Sequence, residues 1–179
     1  MTELAGSPLA LILAWLGLLA WLLAGTLDFA CHRRTDLPQT SGLPESTLHL
    51  LQLGLVGMAI MLGMLFEPTT SVVAAMALLV LLHAVVGYLD TRQAYGRRAI
   101  LPFEQHVHSV LDMAPWIGLG LVVASTWPAA IAGEWRLALR HPALPAWIWM
   151  MVLVPATLLA WLPALLEWRA AWRALRRQG

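Results

Sequence analysis

The chain has 179 residues, 60% of them hydrophobic and only 12% charged, with a formal net charge of +1. Soluble domains carry roughly 25% charged residues, so the composition excludes an ordinary water-soluble domain, and it offers no basic surface for nucleic acid. The one cysteine, Cys31, excludes an internal disulfide or a CxxC site.

Five apolar runs are long enough to cross a ~30 Å hydrocarbon core as helices. The first, about 8–31, ends in LDFACHRR; it is too long for a signal-peptide core and lacks a basic flank, so it is expected to be retained. TDLPQTSGLP leads to a second span, about 45–66, that opens in ESTLH. EPTT makes a tight turn into the third, about 70–90, which ends in HAVVGYLD. After TRQAYGRRAILP, the fourth span (about 104–126) opens in EQHVHSVLD, and GEWRLALRHPALP precedes the fifth, about 145–168. The expected fold class is all-α, a polytopic membrane helical bundle forming one integral membrane domain over 1–179. Residues 169–179 form a basic cytoplasmic tail, read either as an amphipathic segment on the anionic inner leaflet or as ordinary stop-transfer charge.

Arginine sets the expected orientation. All eleven basic residues are Arg, and nine lie at one side: Arg33, Arg34, Arg92, Arg97, Arg98, Arg169, Arg173, Arg176 and Arg177. Only Arg136 and Arg140 fall on the other. The positive-inside rule then predicts a bacterial inner-membrane protein with its N-terminus outside and its C-terminus cytoplasmic. Arg97 and Arg98 read as determinants of that topology.

Four acid/histidine pairs converge at the arginine-rich side: Asp28/His32, Glu45/His49, His83/Asp90 and Glu104/His108. Spacings of four or seven keep each pair on one helix face. Ionisable groups in a bilayer are costly unless paired, hydrated or bound to metal. LPESTLH and LPFEQHVH echo one another weakly, which would suit two helical hairpins related by a pseudo-two-fold axis. At 1.5 Å per residue, His83 lies about 10 Å deeper than Asp90 and can approach Asp112. Carboxylates and imidazoles without thiolate suit iron, manganese or zinc. Eight candidates, Asp28, His32, Glu45, His49, His83, Asp90, Glu104 and His108, suit two divalent ions, iron foremost. Asp112 and His106 would orient ligands or carry protons. The plainer alternatives are helix-dipole acids at Glu45 and Glu104 and ion pairs of Asp28 and Asp90 with Arg33, Arg34 and Arg92. Cys31 reads as a packed thiol and His141 as a loop residue.

The segments around Asp28, His32, Thr40, Gly42, Glu45, Ser46, His49, His83, Asp90 and Pro102, with Glu104, Gln105, His106 and His108, resemble a family of uncharacterised bacterial integral membrane proteins. The resemblance covers most of 28–116 and implies no mechanism. From the residues themselves, the expected function is a dinuclear membrane metalloenzyme that oxidises, hydroxylates or desaturates a lipid-soluble substrate, with a redox partner. A zinc-dependent lipid hydrolase is a rival. Metal or proton transport or sensing, or a purely structural role, belongs to other classes; nearly apolar outer halves argue against transport. The fifth span, lacking an inward polar pair, is expected to pack outside a bundle of the first four.

Overall fold

A computed structural model of the chain describes residues 8–178. Helix α1 is Pro8–Arg34, α2 Gly42–Leu65, α3 Thr70–Ala94 and α4 Pro102–Ala132. The fifth helix begins as α5 (Ala146–Ala156), passes a π-turn at Thr157–Trp161, and continues as α6 (Leu162–Gln178). A short 3-10 turn, Leu37–Gln39, lies between α1 and α2. Five helices, counting the last as one, are long and apolar enough to cross a membrane. The all-α membrane bundle expected from the sequence is therefore what forms.

Two helices run beyond the expected spans, and both take in prolines. Helix α2 begins three residues before Glu45 and takes Pro44 into its first turn, where a missing N–H costs nothing. Helix α4 runs through Pro115 and Pro128 to Ala132, because helix-forming residues follow each proline and only Gly133 caps the end.

The helices close into a ring. Helix α2 packs along α3, α3 along α4, and α4 along α1, while the fifth helix touches both α1 and α2. Helices α1 and α2 barely meet directly. The fifth helix is thus a full member of the bundle and not an outside element. It packs through a stripe of small residues, Ala160, Ala164, Ala171 and Ala174, all at most 5% exposed. Small side chains let helix backbones approach closely where lipid gives no hydrophobic drive to association. The same stripe carries the tail inward: Ala171 and Ala174 are buried, and α6 packs on the 3-10 turn, whose Leu37 is fully buried. The C-terminal segment is a continuation of the span docked on that turn.

Proline also explains how α1 is held. A proline within a helix cannot donate to the carbonyl four residues earlier, and in lipid that carbonyl needs another donor. Pro155 frees Met151, whose carbonyl accepts the Trp15 indole N–H at 3.0 Å. Pro115 frees Leu111, whose carbonyl accepts the Trp21 indole at 3.2 Å. Pro163 lacks the N–H for Leu159, and Thr26 Oγ1 lies 2.8 Å from that carbonyl. Three donors on α1 answer three such carbonyls on α4 and the fifth helix.

At the far end from the acid/histidine pairs, Ala59, Val72 and Met76 form an apolar core with Leu62, Phe66, Leu79, Leu119 and Val122 around it. The loop after α4 folds over the α2–α3 turn there, with Glu67 N donating to Ala138 O at 2.9 Å and Arg140 N to Leu65 O at 2.8 Å.

Candidate metal centre

Asp28 and His32 occupy consecutive turns near the end of α1, and Glu104 and His108 the first turns of α4. Because α1 and α4 are antiparallel neighbours, these i,i+4 pairs face each other across the seam. His32 Nε2 lies 3.3 Å from Asp28 Oδ2 and 3.7 Å from Glu104 Oε1. His108 Nε2 lies 2.9 Å from Asp28 Oδ1 and 4.0 Å from Glu104 Oε1. One donor atom from each of the four falls within 4.8 Å of the rest, and His32, Glu45 and His49 form a second such group. On the other side of the ring, His49 Nε2 is 3.2 Å from Asp90 Oδ1. The pairs are therefore shared between helices: Asp28 meets His108, and Asp90 meets His49.

Two residues that join this set were not expected. Glu167, from α6, places Oε2 2.9 Å from His32 Nδ1 and Oε1 2.9 Å from His49 Nδ1. Its carboxylate spans both imidazoles, which stack at 4.6 Å between centroids with 7° between planes. Phe29 packs edge-on against both rings. Arg98 comes from the α3–α4 loop. Gly96, at φ 75, turns the chain back through a region that other residues avoid, and the guanidinium enters the bundle. It bonds Glu45 Oε1 through Nη2 at 2.6 Å and Nε at 3.0 Å, and reaches Glu104 Oε1 through Nη1 at 2.5 Å. Burial opposes its charge, but the bonds and attraction of Glu45 and then Glu104 hold it well above the ordinary arginine range. Arg98 is thus more than a topology determinant. Glu45 and Glu104, both fully buried, are bound to a cation and are more than helix-dipole acids.

The donor set suits a cation. Metal–oxygen and metal–nitrogen bonds of about 2.0–2.2 Å place neighbouring ligand atoms roughly 3.0–3.5 Å apart, close to the spacings among Asp28, His32, Glu104 and His108. Glu45 Oε2 and Glu104 Oε2 are buried with no hydrogen-bond partner. Buried polar atoms ordinarily find partners, and two such carboxylate oxygens beside the donor groups fit a bound ion. Five carboxylates, Asp28, Glu45, Asp90, Glu104 and Glu167, gather there with one guanidinium and the imidazoles of His32, His49 and His108. Glu167 takes both Nδ1 atoms, and the Nε2 atoms of His32 and His49 face Asp28 and Asp90 at 3.3 and 3.2 Å; a metal-bound imidazole likewise gives its other nitrogen to a carboxylate.

The remaining expected residues separate. His83 is buried at 2% exposure and Asp112 stands at the surface of α4. Both line a cavity of about 60 Å³ that adjoins Asp28, His49, Asp90 and His108 on its other side. His106 is exposed: two residues from Glu104 is more than half a helical turn away, so it faces out of the bundle. Cys31 is buried without joining either donor group. His141 lies exposed in the loop after α4. Comparisons with protein-family models, with curated proteins and with solved structures return no match to this chain.

Proposed function

We propose that the chain is a membrane-embedded metalloenzyme whose centre takes two divalent cations, iron foremost, and acts on a lipid-soluble substrate. The observation that carries this reading is the convergence of ligand atoms from Asp28, His32, Glu104 and His108 within 4.8 Å. Asp28, Glu45, Asp90 and Glu104 supply charge; His32, His49 and His108 supply neutral nitrogen; Glu167 and Arg98 hold the ligands in place. Two such cations supply redox chemistry, with dioxygen and an electron donor as co-reactants, for hydroxylation or desaturation. The arginine asymmetry supports a centre at headgroup depth on the cytoplasmic side of a bacterial inner membrane, where the reactive end of a lipid would lie. The compact two-histidine, two-carboxylate group also supports a second reading, a zinc-dependent lipid hydrolase using metal-activated water.

Elemental analysis of protein purified in detergent without chelator tests the reading, with iron at one to two equivalents expected. His49→Ala and His108→Ala should each lower metal content, their double mutant should lose less than the sum, and His141→Ala should lose none. Trace metal in the parent, or full metal in both ligand variants, would leave the cluster as an ion-pair network and end the enzyme reading.

A further inference from the structure

The cavity beside the donor set has one deep wall and one open seam. His83 forms the deep wall with its Nδ1 buried and unpartnered. Gln52 and Asp112 stand nearby, since both their side-chain oxygens come within 3.6 Å of where a Cβ on Gly87 would sit. The exposed lining residues are Thr91 on α3 and Asp112 on α4, so the cavity opens along the α3–α4 seam toward lipid. Trp21, pinned by its bond to the Leu111 carbonyl, and Gly25 form the opposite wall. At about 60 Å³ the space admits a few water-sized groups, since one water needs roughly 10–15 Å³. It takes the polar end of a lipid and not its chain.

Resting on the metalloenzyme reading, we infer that this chamber is the head-group site for the substrate and that it selects a single-chain lipid ending in a hydrogen-bond donor, an alcohol or amine, over a fatty acid. The lining outside the donor set decides the sign. Asp112 presents a carboxylate, Gln52 an amide oxygen, and His83 an unpaired ring nitrogen. A hydroxyl or ammonium group finds acceptors on several sides. A carboxylate finds the Asp112 carboxylate, and like charges desolvated together repel strongly. The head group then lies against Asp28 and His108, which belong to the donor set.

The test uses the full-length protein in detergent with three photoactivatable diazirine lipids of equal chain length, ending in an alcohol, an amine and a carboxylic acid. Labelled peptides are mapped by mass spectrometry, and metal is measured on the same samples. The alcohol and amine should label 83–91 and 108–112 about tenfold more than the acid. Gly25→Leu, which fills the chamber, and Gln52→Leu, which strips one acceptor from it, should cut that labelling with metal unchanged. Equal labelling by the acid, or labelling unaffected in both variants while metal is retained, overturns the head-group assignment and leaves the metal centre standing. Loss of metal in the parent brings down the metal reading, and this inference with it.

Discussion

The two ends of the same helices are built on opposite terms. Near Glu45, Asp90 and Glu104 the bundle interior holds five carboxylates, an arginine and stacked imidazoles. About 14 to 18 residues along α2, α3 and α4 it holds Ala59, Val72, Met76, Leu119 and Val122. In lipid, apolar side chains gain little by leaving tails for each other, so the apolar core tells helices apart by shape, helped at its rim by Thr70, whose hydroxyl donates to Ala130 O at 2.9 Å, and by the loop bonds. The polar end can tell them apart by partner. Arg98 reaches α2 and α4 at once, and Glu167 reaches α1 and α2. The order of helices around the ring is therefore written mostly at one end.

That contrast can be broken most directly at His32, which belongs to both donor groups. His32→Ala should lower metal affinity by at least the roughly 10–100-fold seen when a ligand's supporting partner is lost. Val72→Ala, at the apolar end, should leave metal content alone. Equal metal in the two variants would make the polar end an ordinary ion-pair network. Next in size is Arg98→Ala, which strands Glu45 and Glu104 as buried charges. A loss of roughly 3–5 kcal/mol is expected for breaking such a pair, seen as a lower melting temperature in detergent, with Arg98→Lys restoring only part because an ammonium lacks the planar fork. An unchanged melting temperature would show that something else neutralises both acids.

Smaller effects sharpen the role of the fifth helix. Ala171→Leu inserts bulk against the 3-10 turn and should cost about 1–3 kcal/mol. Its metal content should also fall, since Glu167 lies one turn away; intact metal would separate packing from ligand support. Trp21→Phe keeps an aromatic ring, though a smaller one, and deletes one interhelical bond, an effect of about 0.6 kcal/mol in membrane proteins, measurable as a small melting shift without change in metal.

The spans and the acid/histidine pairs were legible because an ionisable residue inside an apolar run has few reasons to be there. Glu167 escaped notice because it sits beside Trp168 and Arg169, where a span normally ends in charge. A signal was present: Ala160, Ala164, Ala171 and Ala174 follow a four-three spacing, and Glu167 occupies the middle position of the stripe. Arg98 was hidden differently. Next to Arg97 it reads as one more cytoplasmic charge, and its entry into the bundle depends on the backbone turn at Gly96, which residue type alone does not direct inward. His106 shows the reverse error, since its spacing from Glu104 already pointed it away from the face that His108 shares. Pro115, Pro155 and Pro163 stand inside apolar spans without interrupting them, and the donors that answer the carbonyls they free lie about 90 to 140 residues away in the chain.

Those three freed carbonyls also bear on the order in which the protein is assembled. Helix α1 leaves the ribosome before the other described helices, yet its helical neighbours are α4 and the two halves of the fifth helix, all made later. Until then Trp15 and Trp21 have no acceptor on a neighbour, and the α2–α3 hairpin, whose long mutual packing needs nothing else, is free to form on its own. The first helix is consequently the last to be seated. A nascent chain stopped after α3 would hold a finished hairpin beside an undocked helix, and the closing of the ring, with the polar centre sealed inside it, would wait for the final span.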